Sequence, residues 1–340
     1  MSTGARHDLV AVWTSAAWRA EAEAWIRDRL AAAGIAVTGP IEQPRVRPWS
    51  TQLVVPTDRG RYWFKENNPA MAFEAALVAR LSELAPGRVL APVAVAADRG
   101  WLLGPDGGRT VRESGGPDEA GFTRILTEYA ELQRHLAGHG AELVGTGLPA
   151  LEPARSAEHL AGQVADLAAL PDGHPLRAGS ELRARSVAYR PVLVAAAERL
   201  AETPIPLSLQ HNDLHQNNAF AAEPGRPLRF FDFGDAVWGH PFCVLHVTLV
   251  VLAQEWSCGP WSAAGADPRL DRLVDAYLEC WSDLAPRAEL RRLVEPAMVI
   301  GRLHRYNSWH RLLPYLPMDM LTSHVGYLSS LLCGSAVGAR

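Results

Sequence analysis

His211-Asn212-Asp213-Leu214-His215-Gln216-Asn217-Asn218 has the form H-x-D-L-x-x-x-N, and Asp232-Phe233-Gly234 follows it downstream. These are the residue types that phosphoryl transfer needs: a carboxylate beside the attacking hydroxyl, and oxygen ligands for Mg²⁺ that hold charge on the phosphoryl oxygens. Asp213 fits the first task, and Asn218 and Asp232 fit the second. Asp235 is a further metal candidate or a carboxylate at a helix start. His211 and His215 complete the catalytic stretch, His211 as a packed support of the loop and His215 as a group that orients Asp213 or faces the acceptor. Upstream, Lys65 ends the run Tyr62-Trp63-Phe64-Lys65 and Glu74 lies on the next helical stretch, where a carboxylate can fix the lysine against the α- and β-phosphates.

The elements that must hold these residues are legible as a small sheet followed by helices. Trp18, Trp25, Ile26 and Leu30 recur at helical spacing between a capping Ser15 and Gly34. Residues 51–56 and 61–65 read as a hairpin about the turn Thr57-Asp58-Arg59-Gly60, and residues 89–96 and 101–103 as two more strands. Phe73, Ala76, Leu77, Leu81 and Leu84 mark one helix between them. Beyond Gly104-Pro105-Asp106-Gly107-Gly108 the pattern turns helical, with a stripe of Phe122, Ile125, Leu126, Tyr129, Leu132 and Leu136. Two short apolar runs, 205–210 and 228–231, precede the two polar motifs. The pattern predicts an α+β chain divided into an N-lobe, residues 1–104, and a mainly helical C-lobe, residues 105–340.

Composition excludes several classes. The 340 residues are 48% hydrophobic and 21% charged, an ordinary globular balance, and the net charge of -4 gives no basic excess for nucleic acid. Cys243, Cys258, Cys280 and Cys333 lie far apart and read as reduced thiols. The N-terminus lacks signal-peptide character, and the longest apolar run falls far below the ~20 residues of a membrane span. A cytoplasmic monomer or homodimer, without nucleic-acid or membrane partners, is expected.

The motifs HNDLHQNN and FDFGDA, with FEAALVARLSELAPGRVLAPVAV and GWLLGPDGG, resemble those of the aminoglycoside phosphotransferase and choline kinase-like family over residues 45–340. The resemblance implies a bilobal protein-kinase-like fold, ATP or GTP bound with Mg²⁺ in the cleft, and a small-molecule acceptor: an amino sugar, an aminoglycoside or an amino alcohol. It places the interlobe hinge at residues 102–106, so that backbone groups there, at Leu103 among others, would meet the adenine. The chain departs from the pattern in three ways. No G-x-G-x-x-G precedes Lys65, so backbone amides and the Ser50 and Thr51 hydroxyls must cover the phosphates. No APE motif follows, which argues against a polypeptide acceptor. Val244 also replaces an aspartate that many relatives carry.

For the acceptor, the sequence offers Glu255-Trp256, an acid beside an aromatic ring, and the polar, aromatic helix around His304, Tyr306 and Trp309. Trp256 and Trp309 fit a packed core equally well. Two other readings remain open at this level: a nucleotide-binding protein of the same fold without turnover, and a zinc hydrolase using His211, Asp213 and His215.

Overall fold

The computed structural model describes residues 8–116, 118–222, 225–265 and 267–333. Two helices open the chain, α1 (Leu9–Trp13) and α2 (Ala16–Ala32). The Ser15 hydroxyl caps α2 by accepting from the Trp18 amide at 3.3 Å, and Gly34 follows the helix with φ +69°. Strands β1 (Glu42–Arg47), β2 (Ser50–Thr57) and β3 (Gly60–Asn67), helix α3 (Glu74–Leu84), and strands β4 (Ala94–Ala96) and β5 (Trp101–Pro105) come next. The strands form one antiparallel sheet in the order β1-β2-β3-β5-β4. The expected hairpin is β2–β3, paired from Ser50–Asn67 to Thr57–Gly60. Of the strand expected over residues 89–96 only β4 forms, and β1 was not foreseen.

Alternation along the strands gives the sheet two unlike faces. Leu53, Val55, Tyr62, Phe64, Trp101 and Leu103 turn one way and bury Trp13, Trp18, Ile26 and Leu30 of the opening helices. Gln52, Trp63, Lys65 and Leu102 turn the other way, toward the functional loops. On that side Leu77, Val78 and Leu81 of α3 join the larger apolar cluster of the helical region.

The remaining elements are α4 (Val111–Gly115), α5 (Glu119–Leu136), α6 (Gly140–Val144), α7 (Ser156–Ala168), α8 (Ser180–Ala201), β6 (Ser208–Gln210), β7 (Ala219–Phe220), β8 (Arg229–Phe230), β9 (Val237–Gly239), α9 (Leu245–Glu255), α10 (Pro268–Glu279), α11 (Arg287–Leu312) and α12 (Met318–Cys333). The predicted stripe of α5 is buried at all six positions. Strand β6 pairs with β9 and β7 with β8, so the His211–Asn218 stretch and the Asp232–Asp235 stretch are loops held side by side by two short ladders. Helix α11 lies so close to the Pro241–Val244 turn that a Cβ at Gly301 would stand 2.6 Å from the Cys243 carbonyl oxygen. The chain is thus α+β, a five-stranded antiparallel sheet on a mostly helical remainder. The four cysteines are free thiols, and no described helix is long and apolar enough to cross a membrane.

Candidate active site

Two left-handed residues shape the loops. Asn212 (φ 62°) and Asp232 (φ 65°) occupy a region that Asn and Asp tolerate better than other side-chain-bearing residues. The Asn212 amide donates to the carbonyls of Asp235 (3.2 Å) and His304 (2.9 Å) and to Ser308 Oγ (2.9 Å), which ties both loops to α11. His211 lies fully buried beneath them, its Nε2 3.0 Å from the Phe231 carbonyl and its ring against Tyr129 and Phe233. Burial lowers its pKa and keeps the imidazole neutral.

Lys65 joins sheet, helix and loop. Its Nζ donates to Glu74 Oε2 at 2.7 Å and to Asp232 Oδ1 at 2.6 Å. Glu74 in turn accepts from the Phe233 amide at 2.9 Å and from the Asn67 side chain. Burial opposes the lysine's charge, but the Asp232 and Glu74 carboxylates outweigh it and raise the pKa. At Asp232, burial opposes the carboxylate and the Lys65 charge prevails, lowering the pKa.

Asp213 is held from the other side. Asn218 Nδ2 donates to its carbonyl at 2.9 Å and to Oδ2 at 3.3 Å, and His215 Nε2 lies 3.6 Å from Oδ2. One end of the Arg305 guanidinium sits 3.3 Å from Asp213 Oδ1 and the other 3.1 Å from Asp235 Oδ2. Burial works against an ionised Asp213, yet Arg305 and then the His215 hydrogen bond hold its carboxyl well below the usual range. Arg305 belongs to the polar, aromatic segment expected at the acceptor, but its pairing with Asp213 was not expected, since a lone arginine in a long helix carries no spacing signal.

Two cavities meet at these carboxylates. The larger, about 620 Å³, lies between the sheet and the loops and is lined by Gln52, Lys65, Leu102, Asn218, Phe220 and Phe231 among others. The smaller, about 180 Å³, is lined by Trp49, Ser50, Asp235, Arg305, Ser308 and Trp309 among others. Arg45, Asp213 and Asp232 line both. The larger cavity therefore gathers the predicted Lys65, Glu74, Asp213, His215, Asn218 and Asp232, and the smaller one adds Ser50, Asp235 and Trp309.

Seven of the expected residues do not line these two cavities. His211 packs under the loop, in keeping with its reading as a support of the catalytic stretch. Thr51 turns to the opposite face of β2, where its hydroxyl donates to the Arg45 carbonyl (3.1 Å) and accepts from Gln43 (2.8 Å). Leu103 is buried against the opening helices and its carbonyl accepts from the Val93 amide at 2.8 Å, so Leu102 and Gly104 line the cleft instead. Glu255 pairs with Arg112 and accepts from Gln216 at 2.9 Å, while Trp256 lies edge-on to Phe122 beneath Arg269. His304 is buried behind the loops against Gly239, and Tyr306 lines a third cavity between α8 and α12.

Oxygen ligands line the shared wall, with the His215 imidazole beside Asp213. Asp232 keeps 38% of its side chain exposed despite its bond to Lys65, and Asn218 lines the same cavity. One carboxylate and one carboxamide suit Mg²⁺, which takes few protein ligands and completes its shell with phosphate and water. Among the described residues, no group of three or more His, Cys, Asp or Glu is arranged to hold a metal, and His211 lines neither cavity.

An antiparallel sheet whose lysine pairs with a glutamate on the following helix, set against a helical body that presents an aspartate to the same lysine, fits the protein-kinase-like class. Within it, the model of the phosphotransferase enzyme family matches residues 49–290, and the chain belongs to that family. No curated protein sequence matches the chain. Its fold is similar to an ethanolamine kinase of Plasmodium vivax (TM-score 0.58, 13% identity, 86% of this chain and 82% of that one). It is also similar to a macrolide 2'-phosphotransferase of Brachybacterium faecium (TM-score 0.55, 16% identity, 93% and 99%). A third similar structure is an aminoglycoside phosphotransferase in a ternary complex with ADP and hygromycin B (TM-score 0.51, 13% identity, 91% and 96%).

Proposed function

We propose that the protein transfers the γ-phosphoryl group of ATP to a hydroxyl of a compact small molecule. The observation that carries this reading is the shared wall: Asp213 and Asp232 separate a cavity of nucleotide size from a smaller one, and each is held ionised by its own cation. With the donor in the larger cavity and the acceptor in the smaller, the acceptor oxygen attacks the γ-phosphorus across that wall. The new O–P bond forms as the bond to the β,γ-bridging oxygen breaks, ADP leaves, and the hydroxyl proton passes to the Asp213 carboxylate. Lys65, fixed by Glu74, bears on the α- and β-phosphates. Asn218 and Asp232 would hold Mg²⁺, which when bound neutralises charge on the phosphoryl oxygens. The ADP bound by one structural neighbour supports an adenine nucleotide as donor, with GTP as the alternative.

The acceptor expectation changes with the site. Glu255 is engaged by Arg112 and lines neither cavity, so it does not serve the acceptor as expected. Its volume of about 180 Å³ favours a monosaccharide- or amino-alcohol-sized compound over a multi-ring antibiotic, since drug-sized ligands fill roughly 300–1,000 Å³. Trp49 and Trp309 supply flat apolar walls, and Ser50 and Ser308 supply hydroxyls.

The test is nucleoside diphosphate release from Mg·ATP and Mg·GTP against a panel of sugars, amino sugars, amino alcohols and aminoglycosides. Release that needs an acceptor and is lost in Asp213→Ala supports the reading. Release that is indifferent to every acceptor and to Asp213→Ala overturns it.

A further inference from the structure

Of the three residues that line both cavities, two are the carboxylates just described; the third is Arg45, on the edge strand β1. It has a neighbour problem that the other basic groups of the site do not share. Lys65 is paired with Glu74 and Asp232, and Arg305 with Asp213 and Asp235. Among the described residues the Arg45 guanidinium has no carboxylate partner and no hydrogen bond; the residue is held through its backbone, in the β1–β2 ladder and by the Thr51 hydroxyl.

The strand is irregular at the point that aims this side chain. Glu42 lies opposite Val54 and Arg45 opposite Gln52, so β1 takes one residue more than β2 between the two pairs. A one-residue change of register moves a side chain to the other face of a sheet, and bulges on edge strands recur where a side chain is redirected beside a site. Without the extra residue Arg45 would fall opposite Thr51, whose side chain turns away from the cleft. With it, Arg45, Gln52, Lys65 and Leu102 form one cross-strand row on the cleft face. The two cations of that row stand two strands apart, roughly 10 Å between backbones at the usual spacing.

We infer that Arg45 is the group that covers the transferring phosphoryl, in a chain with no glycine-rich loop before its lysine; this rests on the phosphotransferase reading above. Lys65 is fixed by Glu74 and lines only the larger cavity, whereas Arg45 lines both and overhangs the boundary that the γ-phosphoryl group crosses. A planar guanidinium matches phosphoryl oxygens with paired donors and retains its charge at all working pH values. It acts on the charge of the group in transit, as arginines supplied to other phosphoryl-transfer sites do. Ser50, beside it in the smaller cavity, is left to contact the acceptor.

The experiment compares wild type with Arg45→Ala and Arg45→Lys in Mg·ADP binding, binding of a non-hydrolysable Mg·ATP analogue, and kcat with the acceptor found by the screen. Arg45 is exposed and unpaired, so melting temperatures should agree across the three proteins. ADP affinity is expected to hold while Arg45→Ala weakens the analogue about tenfold or more and lowers kcat on the order of 10²–10³-fold, with partial return in Arg45→Lys. Unchanged analogue binding and unchanged kcat in Arg45→Ala overturn the inference, as does an equal loss of ADP and analogue binding, which would place Arg45 on the inner phosphates. A wild-type protein that binds neither nucleotide refutes the phosphotransferase reading itself, and this inference with it.

Discussion

Asp213 has to be an ionised base with only 22% of its side chain exposed, and Arg305 is what favours that state. The guanidinium offsets burial, which by itself raises the carboxyl's pKa, and it does so from α11, far along the chain from the catalytic loop. Asp213→Ala should therefore lower kcat about 10²–10⁴-fold while nucleotide affinity, measured by titration calorimetry, stays near wild type. Arg305→Gln should act through the pH profile. In wild type the depressed Asp213 pKa keeps the base ionised well into acid, so the acid limb of kcat/KM is not set by Asp213 near neutrality. Without Arg305 the pKa rises, and the acid limb should move to higher pH. An Asp213 carboxyl that titrates at the same low pH in Arg305→Gln, followed by carboxylate NMR, would show that Arg305 leaves the base unaffected. Lys65 was legible from its place before Glu74 and the two motifs. The role of Arg305 beside Asp213 was not, and Arg45 was missed altogether, because the meaning of a single basic residue depends on what the fold brings near it.

At the scale of elements, the errors of sequence reading come from parity and from edges. Thr51 and Leu103 were each taken one residue away from Gln52 and Leu102, which face the cleft. Strand alternation makes a one-residue error a change of face, and the sequence shows the strand before it shows the face. Strand β1, Glu42–Arg47, escaped because an exposed edge strand needs no apolar alternation. By contrast α2, α3 and α5 were legible, since each buries a regular apolar stripe. Helix α11 matters most to the site because it carries Arg305, Ser308 and Trp309, and its approach depends on Gly301. Gly301→Ala sets a methyl against the Cys243 carbonyl at 2.6 Å, with His246 Cβ at 3.0 Å, and neither neighbour is a flexible side-chain end. It should destabilise the protein by about 1–3 kcal/mol in denaturant titration and reduce turnover as α11 shifts. Unchanged stability would mean that helix and turn can part without cost.

At the scale of the molecule, the packing around the loops encloses several histidines as neutral groups. Burial lowers His240 to about 3, with the nearby His304 adding to the effect, lowers His246 to about 4 and His304 to about 3, and depresses His211 as well. In the unfolded chain each takes up a proton near pH 6.5. Between that value and the folded pKa the unfolded state binds more protons, so stability is full above pH 6.5 and is lost as pH falls. The depressed carboxylates Asp213 and Asp232 act in a separate window, contributing stability above about pH 4 and losing it only below. Each buried histidine costs up to about 1.4 kcal/mol per pH unit, so His240, His246 and His304 together cost about 4 kcal/mol per unit once the pH is well below 6.5. Against a total stability of roughly 5–15 kcal/mol, the protein should be close to unfolding by about pH 4–5, before its carboxylates titrate. Denaturant midpoints from pH 8 to 4.5 check this: they should be flat above pH 7 and fall steeply below 6. The side chain of His240 also caps a turn by accepting from the Phe242 amide at 3.3 Å, a role that asparagine can take over. His240→Asn should then fold normally and lose about a third of the acid slope, whereas a wild-type midpoint that stays level from pH 7 to 5 would show that these histidines gain protons without opening the fold.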